Sequence, residues 1–156
     1  MVRIGDMLRI NKLTDYSMVI LVHIARQDSS LTSRQISDES NIPLSTVSKV
    51  LKTLARNDIL LSTRGATGGY SIAMPPNELS VNAIVTAMEG PLAITECCDS
   101  EHGTCSEEHG CPLKSHWNHI NLAAKSALKS VTLQDLLSPI PRYTVNTGAT
   151  SYTNIS

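Results

Sequence analysis

Ile42-Pro43-Leu44-Ser45-Thr46-Val47-Ser48-Lys49-Val50-Leu51-Lys52-Thr53-Leu54-Ala55-Arg56-Asn57 is the stretch that decides the fold. Proline is tolerated in the first turn of a helix but not in its interior, so Pro43 sets a start. From about Leu44 to Asn57, Val47, Val50, Leu51 and Leu54 repeat at helical spacing on one face. Ser45, Ser48, Lys49, Lys52 and Arg56 take the opposite face. Ahead of this helix, Leu31-Thr32-Ser33 opens a short helix through Ser40, with Thr32 or Ser33 as its cap, and Asn41-Ile42-Pro43 forms a turn. A short helix, a tight turn and a helix with an apolar back and a Ser/Thr/Lys/Arg front make a helix-turn-helix pattern.

The residues C-terminal to this helix sharpen the assignment. Ile59-Leu60-Leu61-Ser62 is a short strand, Arg64-Gly65-Ala66-Thr67-Gly68-Gly69 a glycine-rich tip, and Tyr70-Ser71-Ile72-Ala73 a returning strand. This is a hairpin of the wing type. Its glycines, Gly68 among them, permit close approach to a phosphate backbone. Arg64 at the shoulder reaches a phosphate or the minor groove. The tip is no nucleotide-binding loop, because it lacks the Lys-Ser/Thr ending and comes after no parallel strand. Ser45, Thr46, Ser48 and Lys49 fall where side chains reach base edges, and Lys52, Arg56 and Arg64 are expected on phosphates. The modest positive excess is too small for tight binding by one copy. A dimer would double the phosphate contacts and set two half-sites about one helical turn apart.

On the N-terminal side, Leu13 to Arg26 carries a wide apolar helical face, with Thr14 or Asp15 as N-cap. After Pro75-Pro76, Ser80 caps a helix from Val81 to Glu89 that Gly90-Pro91 ends. A long helix runs from about Leu113 to Leu128, with Leu113, Trp117, Ile120, Ala124 and Leu128 on one face. Val131 to Leu137 adds a short turn capped by Thr132. The tail from Ser138 is rich in Pro, Thr, Asn and Ser without apolar period, and is expected to be disordered. The fold class is therefore mainly α: a winged helix-turn-helix with a long C-terminal helix. Residues 7–76 form the DNA-binding region, 77–96 a connecting helix, 97–111 a cysteine loop, 112–137 the C-terminal helices and 138–156 the tail.

Composition sets bounds on function. Apolar residues make up 41% of 156, aromatics only 3%, and there is no Phe, so the core is aliphatic. No apolar run approaches the roughly 20 residues that span a bilayer, and no signal-peptide hydrophobic region opens the chain. A soluble, cytoplasmic protein without a membrane partner is expected. Residues 1–75 carry nine Lys/Arg against six Asp/Glu, whereas residues 76–113 carry seven acids and no Lys or Arg. Two regions of opposite charge suggest two jobs. No triad, paired-carboxylate pocket or nucleotide loop is present, so an enzyme is not expected.

All 4 cysteines lie in Cys97-Cys98-Asp99-Ser100-Glu101-His102-Gly103-Thr104-Cys105-Ser106-Glu107-Glu108-His109-Gly110-Cys111. In the cytoplasm such clustering points to metal or redox chemistry rather than structural disulfides. Structural zinc prefers Cys-x2-4-Cys pairs, whereas the spacings here are Cys98-x6-Cys105-x5-Cys111, or x7 from Cys97. A disulfide switch needs only two thiols and is disfavoured at rest in the cytoplasm. An iron–sulfur cluster accepts wider spacing on a glycine-bearing loop, which puts it ahead of zinc.

Leu13-Thr14-Asp15-Tyr16, the wing run Leu60 to Tyr70, and Thr95-Glu96-Cys97 through Cys111-Pro112-Leu113-Lys114 resemble the IscR/NsrR-type winged-helix regulators over about residues 7–137. His116-Trp117-Asn118-His119-Ile120-Asn121 with Val131-Thr132-Leu133-Gln134-Asp135 looks most like regulators of the SUF iron–sulfur assembly system. The resemblance implies a homodimer built on the long helix, double-stranded promoter DNA as partner, and a 2Fe-2S or 4Fe-4S iron–sulfur cluster. Three cysteines and one variable residue would hold it. By position Cys105 and Cys111 are ligands, with Cys97 or Cys98 as the first thiol. Lys114 stands where some relatives place a histidine, so the fourth ligand becomes Asp15 of the Thr-Asp-Tyr motif, supplied across the dimer, or His116. The implied function is a cluster-sensing repressor of SUF genes. The alternatives are a nitric-oxide- or redox-responsive repressor on the same scaffold and an iron–sulfur carrier that does not bind DNA.

Overall fold

The first helix starts about one turn earlier than a cap at Thr14 or Asp15 implies. In the computed structural model, which describes residues 10–66, 68–95 and 111–138, α1 spans Lys12–Ala25 and is capped by Asn11. Asn11 Oδ1 accepts from the Leu13 N–H at 3.1 Å. The expectation of a cap at Thr14 or Asp15 is corrected: both lie inside the first turn, where the extended backbone of a cap residue is not available. Thr14 is buried and Asp15 exposed.

The helix-turn-helix arises from local chemistry. α2 (Ser33–Ser40) carries a capping box in which Thr32 and Gln35 each satisfy the other's backbone N–H. It stops at Asn41, whose φ of 56° is left-handed, a conformation asparagine tolerates. Pro43 then starts α3 (Leu44–Arg56). Asp58, at φ 57°, turns the chain into β1 (Leu60–Thr63), which pairs antiparallel with β2 (Gly69–Ile72) in the register Leu60 to Ile72 through Thr63 to Gly69.

A third backbone segment joins this hairpin, one that local pattern does not announce. Leu31 exchanges two hydrogen bonds with Tyr70, of 3.0 and 2.8 Å. Gly69 makes this possible, since a Cβ there would sit 2.7 Å from the Leu31 carbonyl oxygen. The wing is thus fastened to the connection between α1 and α2.

α4 (Val81–Glu89) starts at Ser80, whose hydroxyl accepts from the Ala83 N–H. α5 (Lys114–Lys129) is followed by α6 (Leu133–Leu137), opened by a Thr132–Asp135 capping box. α6 returns to the body rather than trailing from it. Val81 N–H donates to Val131, Leu133 N–H to Leu79 and Gln134 N–H to Pro76, at 2.8, 2.8 and 3.1 Å. Leu133 is fully buried with Ile20, Leu21, Ile36, Leu51, Leu54, Leu79 and Ile84. This is the aliphatic core expected without phenylalanine. Each such side chain contributes about 1.5–3 kcal/mol on burial. No helix among the described residues is long and apolar enough to cross a membrane.

α5 stands apart. Its one buried residue is polar, Asn121; on the face read from the sequence Ile120 is 46% exposed, Leu113, just ahead of the helix, is 54% exposed, and Leu122, 64% exposed, lies on the opposite side. Trp117, Ala124 and Leu128 are only partly covered. The apolar face read from the sequence is left open by the chain's own core.

Candidate nucleic-acid interface and the roots of the cysteine loop

At about 100° per residue, Ser45, Lys49, Lys52 and Arg56 fall within a band of roughly 60° centred opposite Val47, Val50, Leu51 and Leu54. All four are exposed, and the four apolar residues are 0% exposed. Thr46 and Ser48 lie on either side of the band, about 60° and 40° outside it, and are half-buried. Arg64 is exposed at the start of the wing tip. Among the described residues no carboxylate pairs with Lys49, Lys52, Arg56 or Arg64; Glu39, on α2, pairs instead with His23 at 3.9 Å. The charge of these four cations is available to a polyanion. Gly68 has a reason of its own to be glycine. Its N–H donates to the Gly65 carbonyl at 3.0 Å, and a Cβ would lie 2.5 Å from the Thr63 oxygen. The tight turn therefore excludes a side chain there, with or without DNA.

Cys97, Cys98 and Cys105 lie outside the described residues, as do His102 and His109. The fourth thiol, Cys111, is free and half-buried, and its carbonyl accepts the Lys114 N–H as α5 begins. On the other side, the Ile94 N–H donates to Asn121 Oδ1 of α5 at 3.2 Å. Both ends of the intervening stretch are thereby held against one helix. His116 is exposed on α5 and Asp15 on α1. Among the described residues no three His, Cys, Asp or Glu side chains gather to hold a metal, so one chain does not bring Asp15, Cys111 and His116 together.

One residue at this junction escapes sequence reading. Glu89, the last of α4, turns its carboxylate to the start of α1. Its Oε1 accepts the Asn11 N–H at 2.8 Å and the hydroxyl of buried Thr14 at 2.5 Å. A negative group at a helix N-terminus meets unsatisfied N–H groups and the positive end of the helix dipole. The chain then passes through Gly90, at φ 91°, toward the cysteines. Glu89 thus ties the segment leading to the loop to the helix that carries Asp15. Only its distance in sequence hid it: nothing near Glu89 hints at a partner 75 or 78 residues away.

Comparison with known proteins agrees with this architecture. Residues 10–139 match the Rrf2 family, described as iron-dependent transcriptional regulators. The transcriptional regulator NsrR of Halalkalibacterium halodurans is 29% identical over 84% of this chain and 91% of its own length. NsrR of Bacillus subtilis is 28% identical over 83% and 90%. Among solved structures, CymR, the global cysteine regulator of B. subtilis, superposes with a TM-score of 0.65 at 25% identity, covering 84% of this chain and 97% of its own. IscR of T. potens does so with a TM-score of 0.63 at 21% identity, over 83% and 86%. Its relatives are transcriptional regulators and not enzymes. With a winged helix that exposes a basic face on α3, and a family match over all described residues, the chain belongs to the Rrf2 family of transcriptional regulators.

Proposed function

We propose that this regulator is a homodimeric repressor whose DNA affinity follows the state of an iron–sulfur cluster, and that it controls SUF cluster-assembly genes. The observation that carries the reading is the stretch 97–111, which bears all 4 cysteines and is anchored at both roots, Ile94 and Cys111, on α5. The donor set fits the group. Soft thiolates at wide spacing on a loop with Gly103 and Gly110 suit iron–sulfur ligation better than paired-knuckle zinc. Cys105, Cys111 and one of Cys97 and Cys98 would hold the cluster, with Asp15 across the dimer ahead of His116 as the fourth ligand. When bound, the cluster supplies iron sites whose loss or modification changes what the loop can grip.

The chain's own residues carry that change onward. Asn121 fixes the loop's entry to α5, and Glu89 fixes the end of α4 to the start of α1. α1 lies on the same core as α3, through Ile20, Leu21, Val47 and Leu51. Two conformations of the loop would therefore present two settings of the recognition helices. By linkage, DNA affinity depends on the cluster only as far as these two forms bind it differently. The open apolar face of α5 supports pairing with a second copy. Two copies would supply the phosphate contacts that one modest stripe lacks.

Anaerobic purification tests this directly. Brown protein with iron and sulfide in comparable amounts, colour lost in Cys105→Ala and Cys111→Ala, and DNA affinity that changes on cluster removal are the expected results. Colourless anaerobic protein holding only zinc refutes the reading. A nitric-oxide- or redox-responsive repressor on the same scaffold uses the same residues. Binding to SUF promoters against other upstream regions, with and without nitric oxide, separates the two.

A further inference from the structure

The recognition helix carries one large apolar side chain that the core does not take. Val47, Val50, Leu51 and Leu54 are 0% exposed, whereas Leu44, the first residue of α3, is 41% exposed. A single exposed leucine on a protein surface needs no explanation in general. Its position here gives it one. Helical side chains lean toward the N-terminus, so Leu44 projects beyond the end of α3 that a winged helix inserts first. Pro43 and Ser45 beside it are also exposed, and Ser48, one turn on, is half-buried. Serine is short, so the leucine is the tallest group on this edge. The first cation of the helix is Lys49, more than a turn further along. The leading end of α3 is thus apolar and uncharged; Leu44 lies there in register with Val47 and Leu51, at the margin between the buried stripe and the cationic band.

We propose that Leu44 is a base-reading residue that takes the C5-methyl group of a thymine in the major groove. The groove offers one apolar group, and that group distinguishes A·T from the other pairs and marks which strand carries the thymine. Leu44 would then impose a preference for thymine at one position of each half-site. Ser45 and Lys49 would read hydrogen-bonding edges next to it. The inference rests on the DNA-binding face of α3 and is independent of the cluster.

The test is a cycle in which both partners lose the contact in turn. A duplex is selected from a random-sequence library by wild-type protein, and each thymine is then replaced by deoxyuridine, which lacks only the methyl group. For wild type, one position per half-site is expected to weaken binding about fourfold, the worth of one buried methyl group. Leu44→Ala should bind the thymine and deoxyuridine duplexes alike, at the weaker value. Leu44→Met, which keeps an apolar group of similar reach, should retain most of the difference. Leu44 is exposed, so both variants are expected to fold, with helix content and urea midpoint unchanged. The proposal is overturned if no deoxyuridine substitution affects wild type. It is equally overturned if Leu44→Ala, or Leu44→Ser should the alanine variant not fold, keeps the full methyl dependence. Loss of self-association in these variants at unchanged methyl dependence would reassign Leu44 to a protein contact. A wild-type protein that selects no duplex would overturn the DNA face itself, which is a different failure.

Discussion

Replacing Glu89 by alanine should loosen the start of α1 from the end of α4, and the contacts set the size of the effect. Two hydrogen bonds are lost, from the Asn11 N–H and from the hydroxyl of Thr14, which is 0% exposed. Hydrogen bonds to a charged acceptor contribute about 1.5–3 kcal/mol each when buried. Glu89 itself is exposed, so screening by water holds both to the low end or below. The charge at the helix N-terminus adds about 0.3–1 kcal/mol. A total of about 2 kcal/mol is expected for Glu89→Ala, and about half of that for Glu89→Gln, which keeps a neutral acceptor. With a urea dependence of about 2 kcal/mol/M for a domain of this size, the alanine midpoint falls by about 1 M. The gap between the two variants is the charge contribution. It should shrink between about 0.1 M and 1 M salt, as the screening length drops from about 10 Å to about 3 Å. The assay is urea unfolding monitored by circular dichroism in a cluster-free preparation. A Glu89→Ala midpoint equal to wild type, or two variants that coincide at low salt, would refute the clamp.

Further perturbations probe other links. Gly69→Ala drives a Cβ to 2.7 Å from the Leu31 carbonyl; separating the wing from that strand should cost about 1–3 kcal/mol by urea unfolding and lower DNA affinity by more than the stability loss accounts for. Arg64→Ala should weaken binding to all duplexes about equally and reduce the slope of log affinity against log salt by about 1 per subunit. A sequence-selective loss would contradict its assignment to phosphate. Asp135 is held below the usual carboxylate range, first by the Thr132 backbone N–H and then by the Thr132 hydroxyl, against a smaller opposing effect of burial. A depressed carboxylate stabilises the fold above its unfolded value of about 4 and loses that contribution as pH falls through its folded value. Wild type should accordingly exceed Asp135→Asn in urea midpoint at about pH 6, with the difference closing below about pH 4. A difference that does not shrink as pH falls from about 6 to about 3 argues against this cap.

The parts of this fold that can be read from the sequence are those whose causes are local. Pro43 and the spacing of Val47, Val50, Leu51 and Leu54 mark α3 because a helix decides its faces within two turns. Thr32, Ser80 and Thr132 mark starts because each accepts a hydrogen bond from a residue three positions on. The cap of α1 falls to Asn11 although Thr14 and Asp15 also have the right chemistry, because the backbone is already helical at both. Leu31, Glu89 and Asn121 act on backbone or hydroxyl groups 39, 75 to 78 and 27 residues distant, which no periodicity encodes. For the binding face, the cationic stripe is legible as a pattern. That Thr46 and Ser48 are half-buried is set by tertiary packing, which the pattern does not encode. The ligand assignments rest on thiol spacing and family resemblance, with Cys111 the one thiol among the described residues.

The return of α6 to the core has a mechanical consequence. An arm rooted at one end bends under load, whereas a beam fixed at two points resists bending and passes torque to its supports. α5 is fastened near its middle, where Asn121 holds Ile94, and again just beyond its end, where the Val81 N–H bonds the Val131 carbonyl. A push at the head of α5 therefore has little slack to disappear into. Displacement there is resisted at two points, the second of them on the same core that carries α3.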